Sequence, residues 1–232
     1  TVWFEALKKV LASSETVFSP EIVRYKTLED GDSLALHIFK PRNMQAGEKR
    51  PAIVYFFGGG WKLGTPIQFY RECAYYASKG MVAVSVDYRI GYLHHSTPFE
   101  SFEDAKDAIC WLRSHASDYQ LDPDKIAVAG GSAGGHLAAA LGTIGSDETV
   151  PAGYRPNLSV LYYPVIDMVS RGYGFPEIKR DFEKISPIHH VSEATPSTLI
   201  LLGTKDPIVS VETIEAYQDK LLQKGVDCEL HL

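Results

Sequence analysis

Five short apolar runs recur along this chain, and most are followed by a stretch with helical patterning. The runs are "PAIVYFF", "MVAVSVDY", "KIAVAG", "NLSVLYYP" and "TLILLG". A run that is apolar throughout, rather than at alternate positions, belongs to a strand covered on both faces. The helical stretches between them are read from about Phe69 to Lys79, from about Phe99 to Asp118, directly after Ser132, and from about Val211 to Lys224. Strands separated by helices of that length call for a parallel sheet wrapped on both sides, an α/β fold. Two alternating runs, "EIVRYKTL" and "SLALHIFKP", flank the turn "EDGD" and read as an antiparallel pair on one edge. "VDCELHL" adds a last strand, for about eight in all, and Trp3 to Leu11 reads as a short amphipathic helix. With 232 residues the whole of 1–232 is expected to form a single domain.

The bulk properties exclude several roles. A formal charge of -6 argues against nucleic acid or an anionic membrane surface as the main partner. The longest apolar runs, such as Ala52 to Phe57 and Met81 to Val84, fall far short of the ~20 residues a bilayer demands. A soluble protein is expected, either cytoplasmic or exported after removal of a signal peptide. The three cysteines, Cys73, Cys110 and Cys228, form no C-x-x-C pair, and an odd number is poor material for a disulfide framework. Nothing calls for a cofactor. The histidines His94 and His95 lack companions at metal-ligand spacing, so no metal is expected.

In a sheet of this kind reactive groups gather at the carboxyl ends of the strands. One such end carries "AVAGGSAGGHLAAA", a strand running through Gly130-Gly131-Ser132-Ala133-Gly134 into an alanine-rich helix. A sharp strand-to-helix turn holds a serine in a strained conformation with its hydroxyl exposed. Side chains two residues to either side would collide, hence glycine at 130 and 134. The bland alternative is a tight turn with a packing serine. A second end carries "FFGGGWKLG", where three glycines leave backbone N–H groups open to a ligand.

The ordered set "YFFGGGW", "DYR", "DAKDAICWLR", "DPDKIAVAGGSAGGHLAA" and "LLGTKDP" resembles the α/β-hydrolase superfamily. Within it, the likeness is to hormone-sensitive-lipase-like and acetylxylan or feruloyl esterase-like enzymes, from about residue 20 onward. The resemblance implies the α/β-hydrolase fold and hydrolysis of carboxylic esters through an acyl-enzyme on Ser132. It implies an oxyanion hole from Gly59 and Gly60, completed by the N–H of Ala133 just after the nucleophile. The family usually has histidine where this chain has Phe57, which leaves the loop's support open. Asp87 and Arg89 of "DYR" match a structural pair of the family. Trp61 either lines the substrate pocket or packs in the core, and His136 reads as a packing residue.

The acid is expected at Asp206, straight after "LILLG", where it would hold a histidine's tautomer. Asp167, in "YYPVIDM", is the rival, and an Asp-Pro turn is the structural alternative for Asp206. The base is harder to place. The chain order of this fold is Ser, acid, His. His189 and His190 precede the acid, and His231 lies inside the last strand. The base is therefore expected beyond Leu232; the alternative is a binding module that has lost it. A prolyl-oligopeptidase-like peptidase is a further alternative, disfavoured by the three-glycine loop. The insert from about Met168 to Thr195 is short and polar, "RGYGFPEIKRDFEK" at its centre. A lid this small suits short acyl groups on soluble or carbohydrate alcohols.

Overall fold

The computed structural model describes residues 19–42, 44–145, 153–168 and 181–232. The amphipathic helix expected at Trp3 to Leu11 lies outside them, as do residues 169–180 of the polar insert.

Eight strands form one sheet. They are β1 (Glu21–Thr27), β2 (Ser33–Phe39), β3 (Arg50–Phe56), β4 (Val82–Val86), β5 (Leu121–Gly131), β6 (Leu158–Tyr162), β7 (Ser197–Leu201) and β8 (Cys228–His231), in spatial order β1-β2-β4-β3-β5-β6-β7-β8. β1 and β2 are an antiparallel edge pair; β2 also meets β4 antiparallel, and every pairing from β4 to β8 is parallel. The continuous apolar runs are the buried ones: all five residues of β4, and Ala52 to Phe56 of β3. The mostly parallel sheet is the one the alternation of runs called for, and its order is that of the α/β-hydrolase fold the resemblance implied.

The helices are α1 (Tyr70–Ser78), α2 (Gly91–His94), α3 (Pro98–Ser114), α4 (Ala133–Thr143), α5 (Phe182–Ile185) and α6 (Val211–Gln223). A 3₁₀ turn, Pro66–Phe69, leads into α1. α3 starts where the sequence sets it to start. Thr97 and Glu100 form a reciprocal capping box, and Pro98 sits at the first helical position. Phe102, Ala105, Ala108, Ile109 and Leu112 lie on its buried face. It ends at Ser114, earlier than the reading to Asp118, because residues from His115 onward turn back through i→i−3 and i→i−4 bonds into β5. β5 itself is longer than "KIAVAG" alone implied, starting at Leu121.

α4 is buried along its entire length. Its small residues allow that: a Cβ on Gly135 would stand 2.9 Å from Pro164, and one on Gly142 3.0 Å from Pro196. On α3, facing β1, Asp104 is fully buried yet doubly paired, to Arg89 (Nε–Oδ2 2.8 Å, Nη2–Oδ1 2.8 Å) and to Lys26 Nζ at 2.6 Å. Arg89 is thus scaffold, as its family match implied, but its carboxylate partner is Asp104 rather than Asp87. A bidentate guanidinium and an ammonium compensate the desolvated charge.

Candidate active site

The sheet delivers Ser132 at the carboxyl end of β5, where it caps α4. Its backbone stands at φ 54°, ψ −118°, a region that non-glycine residues seldom occupy. The strain is held from both sides. Ser132 N–H donates to the Tyr162 carbonyl at 3.0 Å, and its own carbonyl accepts from His136 N at 2.9 Å and Val165 N at 3.4 Å. The flanking glycines are sterically required. A Cβ on Gly130 would lie 2.8 Å from the Phe56 carbonyl oxygen and closer still to that of Gly134. A Cβ on Gly134 would lie 2.5 Å from the Phe57 carbonyl oxygen and closer still to that of Phe56. The side chain of Ser132 remains half-exposed while its neighbours Gly131 and Ala133 are buried.

The glycine loop after β3 lies against this elbow. A Cβ on Gly58 would sit 3.4 Å from Ser132 Cβ and 2.8 Å from the Gly131 carbonyl. Gly58 is therefore the glycine that permits the approach, a role the sequence alone did not single out. Gly59 has φ 142°, with its carbonyl accepting from Lys62 N and Leu63 N, both at 3.1 Å; Gly60 has φ 64°. The N–H groups of Gly59, Gly60 and Ala133 donate no backbone hydrogen bond among the described residues. The first N–H groups of α4 add the positive end of a helix at the same place.

Phe57 answers the question its departure from the family raised. Its ring stacks on Tyr88 (centroids 4.1 Å, interplanar 15°), and Tyr88 Oη donates to the Phe57 carbonyl at 2.7 Å. Gln68 Oε1 accepts from Gly58 N. Aromatic stacking and an amide brace the loop here. Trp61 follows at φ 56° and is 1% exposed, so it packs within the core beside the loop. Its ring meets His136 edge-on (centroids 5.1 Å, 88°).

His136 is fully buried. Its Nε2 lies 2.7 Å from the Ile185 carbonyl, so Nε2 carries the proton and Nδ1 is an acceptor with no hydrogen-bond partner among the described residues. Burial pushes its pKa down to about 4, the hydrogen bond to Ile185 opposing only in part. It is a packing residue, as expected, tying α4 to the segment after the insert.

Asp206 stands on the turn after β7, half-buried. Its Oδ1 accepts from Ile208 N at 2.8 Å and Val209 N at 2.9 Å. The Asp-Pro turn is real, yet it engages one carboxylate oxygen. No histidine pairs with Asp206 among the described residues. β8 ends beside the residue that leaves β7: Leu202 N donates to the His231 carbonyl at 2.9 Å. His231 itself is exposed and turned to Glu229 Oε1 at 2.6 Å. Asp167, in contrast, does have a histidine nearby, His189 Nε2 at 3.7 Å from Oδ1. His94 accepts from Ile90 N through Nδ1, and no group of three or more metal-ligating side chains occurs among the described residues. No helix there is long and apolar enough to cross a membrane.

A parallel sheet in this order, with a strained serine at the β5–α4 junction and a glycine loop against it, defines the α/β-hydrolase class. Residues 36–171 match the BD-FAE family model, and the chain belongs to that family. It is 28% identical to the esterase LipC of Mycobacterium tuberculosis over 83% of this chain and 53% of that protein. It is 26% identical to an acetylxylan esterase of Xylanibacter ruminicola over 88% of this chain and 43% of that protein. Among solved structures, esterase 2 of Thermogutta terrifontis superposes with a TM-score of 0.84 at 36% identity, covering 91% of this chain and 80% of that one. The same esterase has been solved with propionate bound. The chain spans about half the length of the curated relatives it matches.

Proposed function

We propose that this chain carries the nucleophile and oxyanion hole of a serine carboxylesterase acting on short-chain acyl or carbohydrate esters. The observation that carries the reading is the strained, half-buried Ser132 set against a loop whose Gly59 and Gly60 N–H groups donate no backbone hydrogen bond among the described residues. Ser132 Oγ attacks the ester carbonyl as its proton passes to the base, and the oxyanion that forms takes hydrogen bonds from Gly59, Gly60 and Ala133 N–H. The alcohol leaves with a proton from the base, and water then hydrolyses the acyl-enzyme. Asp206 is the acid, its second carboxylate oxygen left to orient a histidine. The esterases among the relatives support the reaction class, and propionate bound to the Thermogutta enzyme supports a short acyl group.

The proximity of Asp167 to His189 favours one competing assignment, in which that pair supplies the base. The two are separated by mutation: His189→Ala leaves hydrolysis within about twofold if Asp206 is the acid, and abolishes it otherwise. The function itself is tested with 4-nitrophenyl esters in the full-length protein. Activity highest at acyl chains of about two to four carbons, lost in Ser132→Ala, supports it. A preference for long-chain emulsions, or activity retained in the mutant, contradicts it.

A further inference from the structure

Tyr163 follows β6 in a left-handed conformation, φ 38°, which an aromatic residue adopts only under constraint. The constraint is visible. Its N–H donates to the Leu201 carbonyl of β7 at 2.7 Å, while the residues on either side bracket the nucleophile through Tyr162 C=O and Val165 N–H. The turn lays the Tyr163 ring over Gly131, the residue before Ser132. A Cβ on Gly131 would stand 2.7 Å from Tyr163 Oη and 3.0 Å from Cζ. Glycine at 131 is thus what makes the seat for this ring. Packed there, Tyr163 is still 41% exposed, so it reaches solvent beside the elbow.

The sheet order says which part of an ester it meets. β3, with the oxyanion glycines, lies on one side of β5; β6 and β7, with Tyr163 and Asp206, lie on the other. The carbonyl oxygen of a bound ester points toward the β3 side. The leaving oxygen must face the base, and so the β6–β7 side. We propose that Tyr163 is a specificity-determining residue whose ring walls the pocket for the alcohol portion of the ester. It favours alcohols that carry a ring, aromatic or cyclic, over linear ones. This rests on the esterase reading above.

The test measures kcat/KM for two substrate series in the full-length protein. One varies the alcohol (ethyl, cyclohexyl and benzyl acetate), and the other varies the acyl group on a constant leaving group (4-nitrophenyl acetate, butyrate and hexanoate). Tyr163→Leu lowers the benzyl-to-ethyl ratio about tenfold, chiefly through KM, and leaves the acyl ratios within about twofold. Tyr163→Phe retains the wild-type ratio. Tyr163→Asn, which tolerates positive φ, repeats the loss should the leucine variant fold poorly. Gly131→Ala, which evicts the ring, does the same. An unchanged benzyl-to-ethyl ratio, or equal losses in both series, overturns the assignment. A wild-type protein that hydrolyses none of these esters sinks the esterase reading itself.

Discussion

Replacing Gly134 by alanine should damage the elbow and the glycine loop together. The new Cβ would lie 2.5 Å from the Phe57 carbonyl oxygen and closer still to that of Phe56, both backbone atoms at the end of β3. Ordinary contact begins near 3.4 Å, so α4 and the β3 loop must separate by on the order of 1 Å. No side chain can rotate away to absorb this. Overpacking of that size costs about 3 kcal/mol, at the upper end of such substitutions. The same displacement moves the proposed oxyanion donors relative to Ser132, and a misplacement of ~1 Å costs about 100-fold in rate. Urea unfolding and kcat/KM on 4-nitrophenyl acetate read both effects. Gly203→Ala is the stability control, since its Cβ meets nothing within 4 Å and should change unfolding by no more than about 0.5 kcal/mol. A Gly134→Ala protein with wild-type stability and rate would refute the steric account of the elbow.

Two further predictions concern side chains. Asp206→Asn should cut kcat by about 10⁴ in the full-length protein, since an amide holds the wrong tautomer, while Asp167→Asn should change it little; stopped assays on the two mutants reverse the assignment if the losses are reversed. His136 makes folding acid-sensitive. Its folded pKa lies at about 4 against 6.5 when unfolded, so between those values the unfolded chain binds the proton and the native one does not. Stability therefore falls as pH drops from 7 to 5, by about 2 kcal/mol from this residue. Asp87, raised to about 6 by burial, acts in the opposite sense over an overlapping range, because there the native state binds the proton. His136→Gln should flatten the decline seen in urea midpoints between pH 7 and 5, and an equally steep decline would contradict the assignment.

Much of this fold was legible because its signals are local. The fully apolar runs of β3 and β4 announced two covered faces, and the helical patterning from about Phe99 announced α3, whose Thr97–Glu100 capping box shows in the structure. The spacing of Gly130, Ser132 and Gly134 announced a junction that only one backbone geometry satisfies. What stayed hidden depends on contacts between distant segments. The partner of Arg89 is Asp104, one carboxylate among several on an ordinary-looking helix, chosen by burial rather than by spacing. The support of the glycine loop comes from a Phe57–Tyr88 stack that no pattern within the loop encodes. Gly131 occupies a variable position between two glycines with evident roles, so its use as a seat for Tyr163 shows only when β6 is laid beside β5. Trp61 was left open between pocket and core because either fits a tryptophan after three glycines; its burial places it in the core.

The central claim is that Ser132 is an activated nucleophile facing an oxyanion hole. The most direct measurement is reaction of the full-length protein with a fluorophosphonate, followed by intact mass and peptide mapping. The account predicts one adduct per chain, on Ser132, absent in Ser132→Ala and formed far more slowly in Gly134→Ala. Labelling at another residue, or none at Ser132 in a folded protein, would contradict it.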